Sequence, residues 1–129
     1  MDEIQSRDGL LAPTSYWEAS PEVLARNTNG AGTSGWNGLL VPDTVWGLNI
    51  NAAANIHDFE YCIGETIEHK QQADFRFQQN MISLIRRAAT RSWIGWILKF
   101  PREYRAFTYY LAVSESDAAL VAFRASELT

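Results

Sequence analysis

Cysteine is almost absent from this chain: of 129 residues only Cys62 is one. No disulfide can form within the chain, so the fold must rest on packing and an oxidising compartment is not required. Histidine is scarce as well, with two residues, fewer than a metal phosphohydrolase of the His-Asp type would need. Long hydrophobic runs are missing. The run Trp93 to Leu98 falls far short of the ~18 residues that span a bilayer. There is no Gly-x-Ser-x-Gly elbow, no glycine-rich phosphate motif and no internal repeat. Strong charge is lacking too. A net charge of -4 argues against a general nucleic-acid binder, so nucleic acid is not an expected partner. The opening MDEIQSRDGL is acidic, with no basic region ahead of an apolar stretch, so the expectation is a cytoplasmic protein at synthesis, without a secretory signal.

What is present is the composition of a globular protein: 47% hydrophobic, 12% aromatic and 20% charged. The length suits one domain, residues 1–129, with a core of its own. Residues 1–20 show little periodicity and read as irregular. Ser20-Pro21-Glu22 is a helix start, with a serine cap, proline at the first position and an acid in the first turn. The short helix it opens should end near Arg26, because residues 27–38, NTNGAGTSGWNG, are rich in Gly and Asn and read as loop. Pro42-Asp43-Thr44 reads as a turn. Asn51 is placed to cap a helix over 52–63, with Gly64 as its stop. A longer helix is expected from about Thr66 to Thr90, with Ala73, Phe77, Met81, Leu84, Ile85 and Ala88 on its apolar face. Pro101 should open a further helix to about Val113, and Ser116-Asp117 can cap a short last one. Two-residue alternation is rare, and the fold class is mainly α.

Chemistry enters at NIHDFEY, residues 55–61. His57 and Tyr61, four apart, share a helix face. His57 and Asp58 point about 100° apart around the axis, so they cannot pair with each other. A carboxylate to orient His57 must come from elsewhere, and Asp74 offers it. Asp74 precedes Phe77 by three and Met81 by seven, so it points inward with the apolar face, where an acid needs a partner. Antiparallel packing of the two helices across Gly64 would bring it to His57. A neutral imidazole is a good base for activating water near neutral pH, and an acceptor on its other nitrogen fixes the tautomer. Asp58, with carbonyls of a loop, makes a hard oxygen site suited to Ca²⁺, which there would polarise an ester carbonyl. The plain alternative is that His57-Asp58 is an ordinary dipeptide and Asp74 a structural acid.

Those residues resemble the His-Asp-x-x-Tyr helix of the phospholipase A2 superfamily, most closely its prokaryotic and fungal type. VPDTVWGLNINAAANIHD (41–58) is similar to that family's Pro-Asp turn, glycine and approach to the active-site helix. HKQQADFRFQQNM (69–81) resembles the Lys-x-x-x-Asp-x-x-Phe-x-x-x-Met run of the second helix, and AFTYYLAV (106–113) its last long helix. The likeness covers roughly residues 35–113. It implies two antiparallel active-site helices, a C-terminal helix and a glycine-rich calcium loop. It also implies Ca²⁺-dependent hydrolysis of the sn-2 ester of glycerophospholipids at a membrane surface. His57 would activate water, Asp74 would orient His57, and Tyr61 would bond within the Asp74 network. Asp58 would hold Ca²⁺ by its side chain, and Trp36 and Gly38 by backbone carbonyls. Ala54 stands where the family usually has a disulfide cysteine, and Trp36 where bacterial relatives can offer an acid. A phospholipase made inside a cell threatens its host, which implies release by lysis, injection or incorporation into a virion. The runner-up function is a catalytically weak structural or binding module of a larger assembly, such as a phage particle or secretion machine.

One feature remains. Arg86, Arg87, Arg91, Lys99, Arg102 and Arg105 crowd the window 86–105, whose only acid is Glu103. Among them, Trp93 and Trp96 with Ile94, Ile97, Leu98 and Phe100 could bind lipid at an interface. Packing of these side chains into the core is the preferred reading, with the arginines as a solvated face. His69 is expected at the surface, and with Cys62 it makes only two of the ligands a metal would need.

Overall fold

Two dipeptides turn the chain back on itself by the same device. Asp8 and Gly9 have φ of 53° and 79°, Trp46 and Gly47 φ of 45° and 78°, and each pair closes a two-residue antiparallel hairpin. Positive φ at both central residues matches the twist of the flanking strands, and glycine takes the second position at no steric cost. The computed structural model describes residues 3–27 and 44–115. In it β1 (Ile4–Arg7) pairs with β2 (Leu10–Pro13), with Arg7 opposite Leu10, and β3 (Thr44–Val45) pairs with β4 (Leu48–Asn49). Residues 4–18 therefore form a hairpin and a short helix, which corrects the irregular segment expected from their sequence. β1 is solvent-exposed throughout and β2 faces inward, so neither strand carries the alternation that marks a half-buried strand.

The remaining elements are helical: α1 (Thr14–Glu18), α2 (Pro21–Asn27), α3 (Asn51–Ile63), α4 (Ile67–Arg91), α5 (Trp93–Ile97) and α6 (Lys99–Glu115). Helix takes 74% of the described residues, in agreement with a mainly α class. None of these helices is long and apolar enough to cross a membrane. Ser20 caps α2 as its sequence predicts, accepting from Val23 N. Thr66 caps α4, accepting from His69 N at 3.0 Å. At α3 the expectation needs correction. Asn51 is the first helical residue, not the cap, and its N–H is met by Asn49 Oδ1 at 2.7 Å. α6 likewise begins two residues before Pro101, leaving the proline in its first turn, where no intrahelical N–H is needed. The expected Pro42-Asp43-Thr44 turn and the last helix at Ser116-Asp117 lie wholly or largely outside the described residues.

The three residues between α3 and α4 fold α4 back along α3. Tyr61, near the end of α3, meets Lys70 and Asp74, while His57, one turn earlier, meets Asp74 and Phe77. α6 also runs antiparallel to α4, since Lys70 reaches Val113 and Arg86 reaches Glu103. Their shared core is Val45, Ile50, Ala53, Tyr61, Ala73, Phe77, Met81, Ile85, Ala106 and Val113. A smaller cluster of Leu10, Ala12 and Ile56 seats the first hairpin. There Asn80, buried in α4, imitates a strand. Its Oδ1 accepts from Leu11 N at 2.7 Å and its Nδ2 donates to Leu11 O at 2.8 Å.

α5 rests on α4 through backbone. A Cβ added at Gly95 would collide with the Ala88 carbonyl, backbone that cannot swing aside. Gly95→Ala should therefore destabilise the domain by about 3 kcal/mol, the upper part of the usual range for overpacking, although alanine is the better helix former. Chemical denaturation checks this. A variant as stable as the parent would show that the α4–α5 contact has room to spare.

Candidate functional site

His57 and Asp74 meet. His57 Nε2 lies 2.7 Å from Asp74 Oδ1, with both side chains 1% exposed. The pairing predicted from the inward register of Asp74 is the pairing found. Phe77 stacks on the imidazole with ring centres 4.6 Å apart, and Tyr61 packs on it at 4.3 Å, so the ring has little freedom to turn. Tyr61 donates its hydroxyl to Asp74 Oδ1 at 2.6 Å, as expected. Burial, with the Asp74 charge and hydrogen bond and the more distant Asp58, pushes the Tyr61 phenol well above its usual range. It therefore stays protonated and acts as a donor.

The fourth member is Lys70, whose Nζ donates to Asp74 Oδ2 at 2.7 Å and to Val113 O at 3.1 Å. It is the lysine of the Lys-x-x-x-Asp run, and its spacing signals its place. Lys70 lies four residues before Asp74 and so shares its inward face. An ionised carboxylate this deep is costly unless paired and hydrogen-bonded. Lys70 neutralises it while His57 and Tyr61 occupy Oδ1.

Asp58 is also buried, at 7% exposure, on the turn of α3 that carries His57. Burial and then the Asp58 charge raise the pKa of Cys62, and the same charge contributes to the shift of Tyr61. The Asp58 carboxylate is a hard oxygen donor, which is chemistry that fits Ca²⁺. The other expected ligands, the carbonyls of Trp36 and Gly38, lie outside the described residues. Among the described residues no three His, Cys, Asp or Glu side chains cluster as a metal site would.

A second polar centre was not foreseen. Glu60, wholly buried on α3, takes hydrogen bonds from Arg76 Nε at 2.9 Å and from Nη2, and His69 Nε2 stands 3.7 Å away. His69 is thus largely covered, correcting its expected surface position. His69 and Arg76 also line a cavity of ≈ 710 Å³ with Pro13, Ser15, Ile63 and Thr66, to which His57, Asp58 and Asp74 contribute nothing.

The expected burial of the aromatic segment is overturned. Trp93, Ile94, Trp96, Ile97 and Phe100 are all exposed, because Gly95 brings α5 to α4 by its backbone. The cations divide as well. Arg102 is buried and donates to Trp46 O at 3.1 Å, Arg87 donates to Asp8 O, and Arg86 lies 3.4 Å from Glu103.

Comparison with protein families, with characterised proteins and with solved structures finds no match to this chain.

Glu60 generates a stability prediction. Burial alone would raise its pKa, but hydrogen bonds from His69 and Arg76 and the Arg76 charge outweigh this and leave it below the ordinary 4.5. The stability it contributes is fully present above that ordinary value and is lost as pH falls through the lower folded value. Glu60→Gln should cost about 3 kcal/mol near neutral pH by leaving Arg76 without its counter-charge. It should also flatten the fall of stability as the pH drops below the ordinary 4.5. Urea titrations across that range provide the check, and an unchanged acid limb would assign it to other carboxylates.

Proposed function

We propose that the chain is a phospholipid esterase of phospholipase A2 type, using His57 as general base. The observation that carries this reading is the buried His57–Asp74 contact, with Tyr61 and Lys70 fixing the carboxylate. With Nε2–H donated to Asp74, proton abstraction falls to Nδ1. Nδ1 takes a proton from water as the water oxygen adds to the ester carbonyl. Collapse of the tetrahedral adduct then breaks the ester C–O bond, and the proton passes from Nδ1 to the departing alkoxide. Asp74 holds the tautomer and favours the imidazolium that forms in between. Phe77 and Tyr61 keep the ring plane in place. When bound by Asp58, Ca²⁺ would supply polarisation of the ester carbonyl and stabilisation of its oxyanion.

The resemblance of residues 35–113 to the phospholipase A2 superfamily supports the substrate class. One observation favours the second reading, a structural or binding module of a larger assembly. The Asp74–Lys70 pair is electrically complete without catalysis, so the network also serves as a buried staple. A single assay separates the two: fatty-acid release from mixed phospholipid vesicles, with and without Ca²⁺. Under the esterase reading His57→Gln should lower turnover by at least about a hundredfold, the lower end of what a positioned base contributes, while the glutamine amide still donates to Asp74 and the melting temperature changes little. Activity within twofold of the parent, or no activity in the parent under either condition, would transfer the site to the structural reading.

The metal has its own test. A ligand bound only by the native state stabilises it in proportion to the logarithm of its concentration over its dissociation constant. Millimolar Ca²⁺ should raise the melting temperature of the parent and leave Asp58→Asn unmoved. Equal shifts in both proteins would remove Asp58 from the metal site.

A further inference from the structure

Since α5 touches α4 through Gly95, the larger side chains of this segment stand away from the core. Trp93 is 72% exposed, Trp96 69%, Phe100 77% and Tyr104 71%, with Ile94, Ile97 and Phe107 about half exposed. The helical hydrogen bonds continue across the α5–α6 junction, from Leu98 N to Ile94 O and from Arg102 N to Leu98 O, each at 2.9 Å. Positions 93, 96, 97, 100, 104 and 107 therefore recur at helical spacing and form one stripe. The opposite face of α6 is buried at Arg102, Ala106 and Val113. With aromatic side chains of about 150–250 Å² each, the stripe exposes on the order of 800 Å² of largely apolar surface, above the largest patch of a typical monomer.

The charge beside it has one sign. Arg91 and Arg105 are exposed and Lys99 half-buried, and none of the three forms an ion pair with a described residue. The only acid between residues 86 and 105, Glu103, already faces Arg86. A convex helical stripe of tryptophan, tyrosine, phenylalanine and isoleucine, flanked by cations, matches the headgroup layer of a bilayer. Aromatic rings settle there, and lysine and arginine meet lipid phosphates. We infer that the α5–α6 edge docks the protein on anionic membranes, with Trp93, Trp96, Phe100 and Tyr104 entering the headgroup layer and Arg91, Lys99 and Arg105 attracting acidic lipid. This surface shares no residue with the His57 site, so it stands whether or not the site hydrolyses ester bonds.

The experiment uses the full chain carrying His57→Gln, which removes hydrolysis, in co-sedimentation with vesicles. Phosphatidylglycerol vesicles should be bound well above phosphatidylcholine vesicles, by about fivefold for each cation near the surface, and added salt should close that gap. Trp93→Ser with Trp96→Ser should weaken binding by at least about tenfold, the value of burying one large apolar side chain, and leave the thermal midpoint in place. Should that pair unfold, Arg91→Glu with Arg105→Glu replaces it, and should abolish the preference for phosphatidylglycerol in a folded protein. Equal affinity for both lipids, binding within twofold of the parent after the tryptophan change, or no vesicle binding would each overturn the inference. So would a stable dimer that ignores vesicles and separates on the same tryptophan change, because the stripe would then serve a second copy of the chain.

Discussion

Asp74 is a carboxylate almost completely removed from water, and the centre of the protein is arranged around the donors it requires. His57 and Tyr61 approach Oδ1 from α3, while Lys70 reaches Oδ2 from the preceding turn of α4. Lys70 in turn donates to the Val113 carbonyl of α6. One buried charge thus ties three helices together. Losing any donor would leave the carboxylate or its counter-ion short of a partner in a low dielectric, where that shortage is most costly. Around this polar knot the packing is apolar. Phe77, Met81 and Ala73 close it from α4, and Val45 and Ile50 from the approach to α3.

A second buried acid limits how α3 and α4 can slide. Glu60 is one turn from His57 on α3, and its pairing with Arg76 fixes a point on α4 two residues beyond Asp74. A slip of one helical turn, about 5.4 Å, would break the His57–Asp74 and Glu60–Arg76 contacts at once, whereas a purely apolar seam would resist it less sharply. The placement of the imidazole therefore depends on two polar contacts across the seam, the His57–Asp74 hydrogen bond and the Glu60–Arg76 ion pair. The His57 ring is held by its neighbours along the chain, by Phe77 across the seam and by the register that Glu60 and Arg76 impose.

Much of this centre was legible in sequence because it obeys helical geometry. Asp74 stood out as an acid on an apolar face, and the short link at Gly64 brought it opposite His57 and Tyr61. Lys70 was equally available from its spacing to Asp74, but a lysine on an inward face is normally read as solvent-reaching. Glu60 and Arg76 were less accessible, since nothing local marks an exposed-type residue that finds its partner sixteen positions away. The hairpin at Asp8-Gly9 is legible only in its dipeptide, a strong turn signal. Its strands are four residues each, one wholly outside and one wholly inside, so they show no alternation. The exposure of the aromatic segment is hidden from the sequence for a spatial reason. Hydrophobicity gave it to the core, but Gly95 at the Ala88 carbonyl decides which way α5 faces, and close backbone approach leaves no periodic trace. The expected calcium loop around Trp36 and Gly38 falls outside the described residues, so sequence alone speaks for it.

The antiparallel pair α4 and α6 relates the two surfaces to each other. Near one end of the pair, Lys70 joins Asp74 to Val113; towards the other, Arg86 faces Glu103. Those levels are sixteen residues apart on α4, or about 24 Å along its axis. The exposed stripe runs back from Trp93 through Phe107, from the far end of the pair towards the level of His57. Standing on Trp93 and Trp96 alone would lift the site by most of that distance. Lying along the whole stripe instead sets the axes of α4 and α6 parallel to the lipid plane, and the site's height then depends on the thickness of the helical layer, on the order of 10 Å. The esterase proposed for the His57 site would need the second orientation to draw one lipid from a bilayer. The continuous helical hydrogen bonding from α5 into α6 favours it, because it keeps Phe100, Tyr104 and Phe107 in line with the tryptophans.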